Sequence, residues 1–316
     1  MKPGSAFVAD VVEEFLRSKR AREPKTFMAY SSVLRGSSHG TRPSLGLPLA
    51  PFFQNRRFNT ITDDDIAVWF AQRVRGGAQA TKHRVSKATR EFLRFAHARG
   101  HTSVSLETAI QPFRPGGPRV DWLGWNDIHE LISAIPEYRY QYAAAWLFWT
   151  GCRVGEACAA QQEDVRWRAE VGLFQWTIPD TKTHTPRSVW LPDELAKYVE
   201  KSRALNRPEP TWPLLWDSEG HGFGRLENPA EPISPRTING ALRRARADVA
   251  LQVRVTAHIA RHSYCTNWIQ ENGAQELAME KLSRQVGTSV GNLRKTYVHY
   301  DLKDTDWAHI KNFGAA

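Results

Sequence analysis

Apolar positions near the start of the chain recur with a helical period. Val8, Val11, Val12, Phe15 and Leu16 stand at i, i+3, i+4, i+7 and i+8. They lie on one face of an amphipathic helix predicted from about Ala6 to Lys19. A second apolar and aromatic pattern surrounds Thr26 to Leu34, and Gly36 to Pro51 holds enough Gly, Pro and Ser to predict a loop. Thr62 followed by Asp63, Asp64 and Asp65 has the form of an N-cap with an acidic first turn, opening a helix through Ile66, Trp69 and Phe70. A fourth helix spans Ala78 to Arg99 and has divided faces. Val85, Ala88, Phe92, Phe95 and Ala96 can face a core, while His83, Lys87, Arg90 and Arg94 form a stripe at i, i+4, i+7 and i+11.

Residues 111–118 contain three prolines and two glycines and cannot continue a helix. They predict a linker at 113–120 between a helical domain, 1–112, and a second domain, 121–316. Beyond the linker, Asn126-Asp127 starts an acidic turn followed by Ile128, Leu131, Ile132 and Ile135, and Tyr140 to Thr150 is an almost wholly apolar helix. The β-branched and aromatic runs 173–178 and 188–191 predict a hairpin. Residues 206–235, with six prolines, predict loop with a short strand at 214–216. Helices are expected again at 237–249, 258–271, 277–284 and 290–300. The fold class is mainly α with a small β-sheet or hairpin.

Charge adds a partner to this picture. The 316 residues carry a formal charge of +10, and residues 1–120 hold 20 Lys+Arg against 9 Asp+Glu. The whole basic excess therefore lies in the first domain. Between the positions of the stripe His83, Lys87, Arg90, Arg94 no acidic residue is interleaved except Glu91, which lies off the stripe, and this favours contact with a polyanion's phosphates over a merely solvated face. No apolar run approaches the length of a membrane span, and no apolar leader opens the chain, so an intracellular protein without a membrane segment is expected. Cys152, Cys158 and Cys265 form no close pair. They are read as small buried residues rather than a disulfide or zinc framework.

Four places carry candidate chemistry. Arg153 lies in Thr150-Gly151-Cys152-Arg153-Val154-Gly155-Glu156, with Glu156 one turn away. Lys182 sits in the predicted hairpin turn. His258 and Arg261 share a helical face; the arginine can hold a phosphate by two hydrogen bonds and the histidine can carry a proton near neutral pH. His258 and His262 also have a metal-ligand spacing. Ile259 replaces the glutamate that a zinc-protease motif needs, and Arg261 would repel a cation, so no metal is assigned. A tyrosine can carry a phosphoryl group covalently. Tyr264, Tyr297 and Tyr300 are the C-terminal contenders, and residue chemistry alone leaves all three open.

Taken together these residues resemble the tyrosine recombinases, the phage-integrase family. Residues 150–156 resemble its first arginine box and His258-Ile259-Ala260-Arg261-His262 its second. Val286-Gly287-Thr288-Ser289 followed by Tyr297 resembles its closing motif, a spacing that selects Tyr297. Lys182, between the boxes, precedes Arg187-Ser188-Val189-Trp190-Leu191-Pro192, which is similar to the segment after the family's catalytic lysine. Thr288 stands where the family usually has His or Trp.

The resemblance implies a two-domain clamp, with a helical core-binding domain and a mixed α/β catalytic domain closing on duplex DNA. It implies a site-specific recombinase or integrase of a mobile element that cleaves and rejoins DNA through a 3′-phosphotyrosyl intermediate. Arg153 and Arg261 would grip the phosphate, His258 would assist proton transfer, Lys182 would protonate the leaving 5′ hydroxyl, Thr288 would hydrogen-bond at the site, and Tyr297 would be the nucleophile. Glu156 and His262 would support them. No cofactor or metal is implied. A homo-oligomer, tetrameric in the synapse, would form on DNA through the tail 301–316, in a cytoplasmic, nucleoid-associated protein. The competing expectations are a type IB topoisomerase-like nicking-closing enzyme and a non-catalytic DNA-binding relative acting as a regulator or accessory subunit.

The concentrated basic charge predicts that duplex DNA binding weakens steeply with salt, as counterions released from phosphates are returned. Fluorescence anisotropy across a sodium chloride series measures this. An affinity independent of salt would remove the electrostatic reading.

Overall fold

The computed structural model describes residues 6–20, 24–36, 46–113, 121–179, 186–206, 208–217 and 231–298. The chain divides into two compact units, Met1–Pro118 and Arg119–Ala316. Lys182, linker residues 114–120 and the tail 301–316 lie outside the described residues.

The first unit is helical: α1 (Val8–Arg20), α2 (Pro24–Leu34), α3 (Leu49–Phe53), α4 (Asp63–Val74) and α5 (Gln79–Ala98), with single 3-10 turns at Phe58–Thr60 and Leu106–Ala109. The five apolar positions of α1 are all buried, and Phe15 packs against Tyr30, Phe92 and Phe95. Trp69 is fully buried and its indole donates to the Leu47 carbonyl (3.0 Å). The expected loop over 36–51 is partly helical, because Leu49 and Phe53 bury themselves at the two ends of α3. Pro51 is tolerated in its first turn, where no intrahelical donor is needed.

The second unit is built on α7 (Tyr138–Thr150), which packs against α6 (Trp125–Ser133), α8 (Val154–Ala159), α9 (Asp193–Asn206), α10 (Pro235–Asp248) and α11 (Ala257–Asn272). A helix apolar on every side must be central. Trp146 stands edge-on to Trp176 with ring centroids 5.0 Å apart, joining α7 to the sheet. That sheet is antiparallel in the order β1 (Val165–Arg168), β2 (Leu173–Ile178), β3 (Arg187–Trp190), with Val165 opposite Trp176 and Trp176 opposite Val189. The expected hairpin is thus the larger part of a three-stranded sheet. In place of a strand at 214–216 there are single bridges, Gln161 to Pro213 and Trp216 to Pro232. Two further helices, α12 (Glu276–Val286) and α13 (Val290–Tyr297), close a smaller core of Cys265, Met279, Leu282, Val286 and Leu293. Cys152 and Cys265 are buried as expected, whereas Cys158 is only partly so. Among the described residues, no helix is long and apolar enough to cross a membrane.

The cap of α4 is complete. Thr62 Oγ1 accepts from the Asp65 amide (3.2 Å), and the Asp65 carboxylate accepts from the Thr62 amide (2.9 Å) and from both terminal nitrogens of Arg56 (2.7 and 2.9 Å). Thr62→Ala removes one half of this reciprocal pair and is expected to lower the stability of the first unit by about 1 kcal/mol. Urea denaturation followed by the buried tryptophan's fluorescence measures it; an unshifted midpoint would mean that Arg56 and Asp65 hold the turn without the threonine.

Candidate active site

Four separate pieces of the second unit meet at one helix end. α12 terminates at Gly287, whose φ of 64° is the left-handed conformation that glycine adopts without strain. The amides of Gly287 and Thr288 both donate to the Ser283 carbonyl (2.9 and 3.3 Å). The next carbonyls take arginines instead. Gln285 O accepts from Arg187 Nε (3.3 Å), Val286 O from Arg261 Nη1 (2.6 Å), and Gly287 O from Arg153 Nη2 (2.8 Å). Carbonyls at a helix C-terminus lack intrahelical donors and carry the negative end of the helix dipole, so they attract guanidinium groups.

Each arginine arrives on an element with its own local cause. α7 ends at Gly151 (φ 62°), where an added Cβ would lie 2.4 Å from the Tyr264 ring; the bare backbone lets the chain turn and its carbonyl accept from Arg261 Nη1 (2.9 Å). Arg153 then caps α8, with its amide and its Nη1 both donating to Glu156 (2.9 and 3.0 Å). Arg261 is carried on α11, whose N-terminus is capped by Thr256 and by Asn239, which accepts from the Ala257 amide (2.9 Å). Arg187 opens β3 and forks onto Glu156 at 3.0 and 2.7 Å. Burial works against the ionised Glu156, but hydrogen bonds from Arg187 and Arg153 outweigh it and hold the carboxyl below its usual range.

The other expected residues lie around this cluster. The His258 and His262 rings meet edge to face, with centroids 4.2 Å apart, and His262 lies 5.4 Å from the Tyr297 ring. His258 is the outer of the two, yet desolvation and then Arg261 hold its imidazole below the ordinary histidine range. His262 is held lower, at about 4, by burial, His258 and Arg261, and its Nδ1 is buried without a partner among the described residues. Tyr297 ends α13, which Ser289 caps by accepting from the Asn292 amide (3.3 Å). The Tyr297 side chain packs against the small core that contains Cys265, and Cys265 and Arg261 are the groups that act on its phenol. Burial and the neighbouring thiol raise the phenol well above its usual range, against the pull of Arg261. Thr288 is pinned through its backbone, its carbonyl accepting from Ser283 Oγ (2.6 Å).

Tyr264 is otherwise employed, with its ring packed on Gly151 and its phenol raised by burial. Tyr300 lies outside the described residues. Among the described residues no group of three or more His, Cys, Asp or Glu side chains is placed to hold a metal ion. Two neighbours of the cluster have no role in the expectation drawn from sequence. Arg187 could have been noticed as a β-strand arginine alternating with Val189, the buried residue of β3. Cys265 offered only its helical spacing of four from Arg261.

In the first unit, His83, Lys87, Arg90 and Arg94 line one groove of about 210 Å³ with Ser86, Glu91, Pro112 and Phe113. His83 Nδ1 contacts the Phe113 carbonyl, and the Nε of Arg90 is buried without a partner among the described residues. The stripe is less purely basic in space than along the chain. Arg94 pairs with Glu107 from the following 3-10 turn, and Glu91, which binds Lys19 and Tyr30, shares the groove.

The model for the phage integrase family matches residues 121–298. A tyrosine recombinase XerC of Lactobacillus delbrueckii subsp. bulgaricus is 22% identical over 304 residues, covering 95% of this chain and 96% of that protein. Among solved structures, a lambda integrase dimer bound to a COC′ core site superposes with a TM-score of 0.71 at 16% identity, covering 96% of this chain and 81% of that one. A lambda integrase tetramer bound to a Holliday junction gives 0.66 at 17% identity, covering 91% and 79%. These structures share the fold.

Because the folded-state value of His262 lies below its ordinary 6.5, the unfolded chain binds the proton more readily. The associated stability is whole above about pH 6.5 and is lost as pH falls towards about 4. His262→Asn is expected to flatten the dependence of melting temperature on pH in that window. An unchanged slope would show that His262 titrates as freely as in the unfolded chain.

Proposed function

The chain belongs to the phage integrase family, and we propose from that premise that it transfers DNA strands through Tyr297. It is a tyrosine-type site-specific DNA recombinase. In the proposed reaction Arg153 and Arg261 neutralise the non-bridging oxygens of a DNA phosphodiester while the Tyr297 hydroxyl attacks phosphorus. The bond from Tyr297 oxygen to phosphorus forms as the bond from phosphorus to the 5′ oxygen breaks. A 3′-phosphotyrosyl ester and a 5′ hydroxyl result. The phenol is protonated at neutral pH and must lose its proton during attack; His258, kept neutral by desolvation and Arg261, is the proposed acceptor. Lys182 is the proposed donor to the leaving 5′ oxygen. Attack of a 5′ hydroxyl from a second strand on the phosphotyrosyl ester reverses the steps and rejoins the DNA.

The observation that carries this reading is the convergence of Arg153, Arg261 and Tyr297 around the end of α12, with His258 and His262 alongside. Thr288, where His or Trp is usual, retains a hydroxyl able to donate to a phosphate oxygen. Glu156 orients the arginines and does not react.

The partner is DNA, proposed to be double-stranded; the similar lambda integrase is seen as a dimer bound to a COC′ core site and as a tetramer bound to a Holliday junction. For this chain we propose that residues 1–112 bind the duplex and residues 121–316 perform the chemistry. Lys87 and Arg90 then meet phosphates, with His83 and Arg94 completing the stripe after Arg94 exchanges Glu107 for DNA. The tail, with Trp307, Ile310 and Phe313, is proposed to dock on a neighbouring subunit in a tetrameric synapse. Association with the nucleoid follows from that reading.

A duplex carrying the sequence that the protein protects in footprinting, nicked just beyond the scissile phosphate, loses the short fragment that bears the new 5′ hydroxyl on cleavage and cannot be rejoined. Wild-type protein is expected to accumulate a covalent adduct on it, retarded in denaturing gels, and Tyr297→Phe to form none while binding the duplex with unchanged affinity. An adduct that persists in Tyr297→Phe would assign the nucleophile to another residue. Its absence from the wild type would leave a DNA-binding protein without strand transfer.

A further inference from the structure

Glu156 serves two arginines, and the two are not equivalent. Arg187 donates Nη1 and Nη2 to the two carboxylate oxygens and Nε to the Gln285 carbonyl, so each of its nitrogens is bonded within the protein. Its side chain is 10% exposed and that of Glu156 is 7% exposed. Gly287 covers it, since a Cβ there would lie 2.5 Å from Arg187 Nη1 and 2.6 Å from its Cζ. Three of the five N–H groups of Arg187 are thus committed within the protein, and its burial sets it inside the site rather than at its surface. Arg153 shares Glu156 through its backbone amide and a single side-chain nitrogen, Nη1, reaches Gly287 O with Nη2, and is 32% exposed.

We infer that Arg187 is a positioning residue for the cleavage step, occupying Glu156 from the inner side so that Arg153 is held at the carboxylate's rim with its outer edge facing the phosphate. This rests on the phosphotyrosyl reaction proposed above. The reason is geometric. A carboxylate favours a planar two-point fork with a guanidinium. Were Arg187 absent, both Glu156 oxygens would be open on their inner side, and Arg153 is the nearest group able to fill them. It would turn inward from Gly287 O and from the substrate. Lysine at 187 keeps a charge but offers a single ammonium, which cannot span both oxygens and the Gln285 carbonyl.

The test compares wild type, Arg187→Ala and Arg187→Lys in single-turnover adduct formation on two nicked duplexes. One carries the natural scissile phosphate and the other a methylphosphonate, in which a methyl group replaces one charged oxygen and lessens the need for a cation. On the phosphate both variants are expected to be slower than wild type by about ten-fold or more, with DNA affinity within about three-fold. On the methylphosphonate each should come within about three-fold of wild type on that same substrate, because the misplaced Arg153 matters less there. An equal defect on both substrates would make Arg187 merely structural and overturn the inference, as would an undiminished rate on the phosphate. If Arg187→Ala does not fold, as judged by circular dichroism, Arg187→Lys decides by the same comparison. Wild-type protein that forms no adduct on either substrate defeats the underlying reaction, an outcome distinct from an Arg187 variant matching an active wild type.

Discussion

A helix that ends inside a protein leaves carbonyl oxygens without donors, and the second unit is assembled on one such end. The carbonyls of Gln285, Val286 and Gly287 each accept from an arginine, and those arginines come from β3, from the middle of α11 and from the start of α8. Three guanidinium groups brought this close would repel one another. The helix dipole and a single carboxylate, Glu156, offset part of that repulsion and leave a surplus of positive charge beside Tyr297. The surplus suits a site whose substrate is a phosphodiester.

The same convergence sets the state of Tyr297, the proposed nucleophile. Tyr297 lies against the small core around Cys265, so burial keeps its phenol protonated, and Arg261 alone among its neighbours favours the phenolate. Both adjacent imidazoles are kept neutral by desolvation and by Arg261. A neutral imidazole can accept a proton where an imidazolium cannot. Burial thus keeps the tyrosine protonated and its neighbouring imidazoles unprotonated.

Elements with a clear apolar period were legible along the chain. α1, α4, α5, α6 and α11 lie close to where the spacing of their buried residues puts them, and the Thr62 cap is read directly from four residues. Besides α3, three elements were missed for different reasons. α8 is six residues of mostly small side chains, too short to show a period, and exists because Arg153 and Glu156 cap it. β1 buries only Val165 and exposes two arginines and a tryptophan, so it lacks alternation. α9 has Leu195, Val199 and Ser202 buried at helical spacing among many charges, a weak signal that was nonetheless present. Contacts between distant residues left no local trace. Nothing near Arg94 announces Glu107 as its partner, and nothing near Arg187 announces Glu156.

By itself the sequence determined the mainly helical class, the concentration of basic charge before residue 120 and the short list of groups able to handle a phosphate. These follow from side-chain periodicity and chemistry, which are properties of neighbours along a chain. Tertiary structure decided which of those groups lie together: that Arg153 and Arg261 share one helix end with Arg187, which was not on that list, and that Glu156 serves two of the three. Those pairings depend on residues more than a hundred positions apart being brought within hydrogen-bonding distance, as Arg153 is to Gly287 and Arg261 to Gly151. Only the packing of α11 against both α7 and α12 does that.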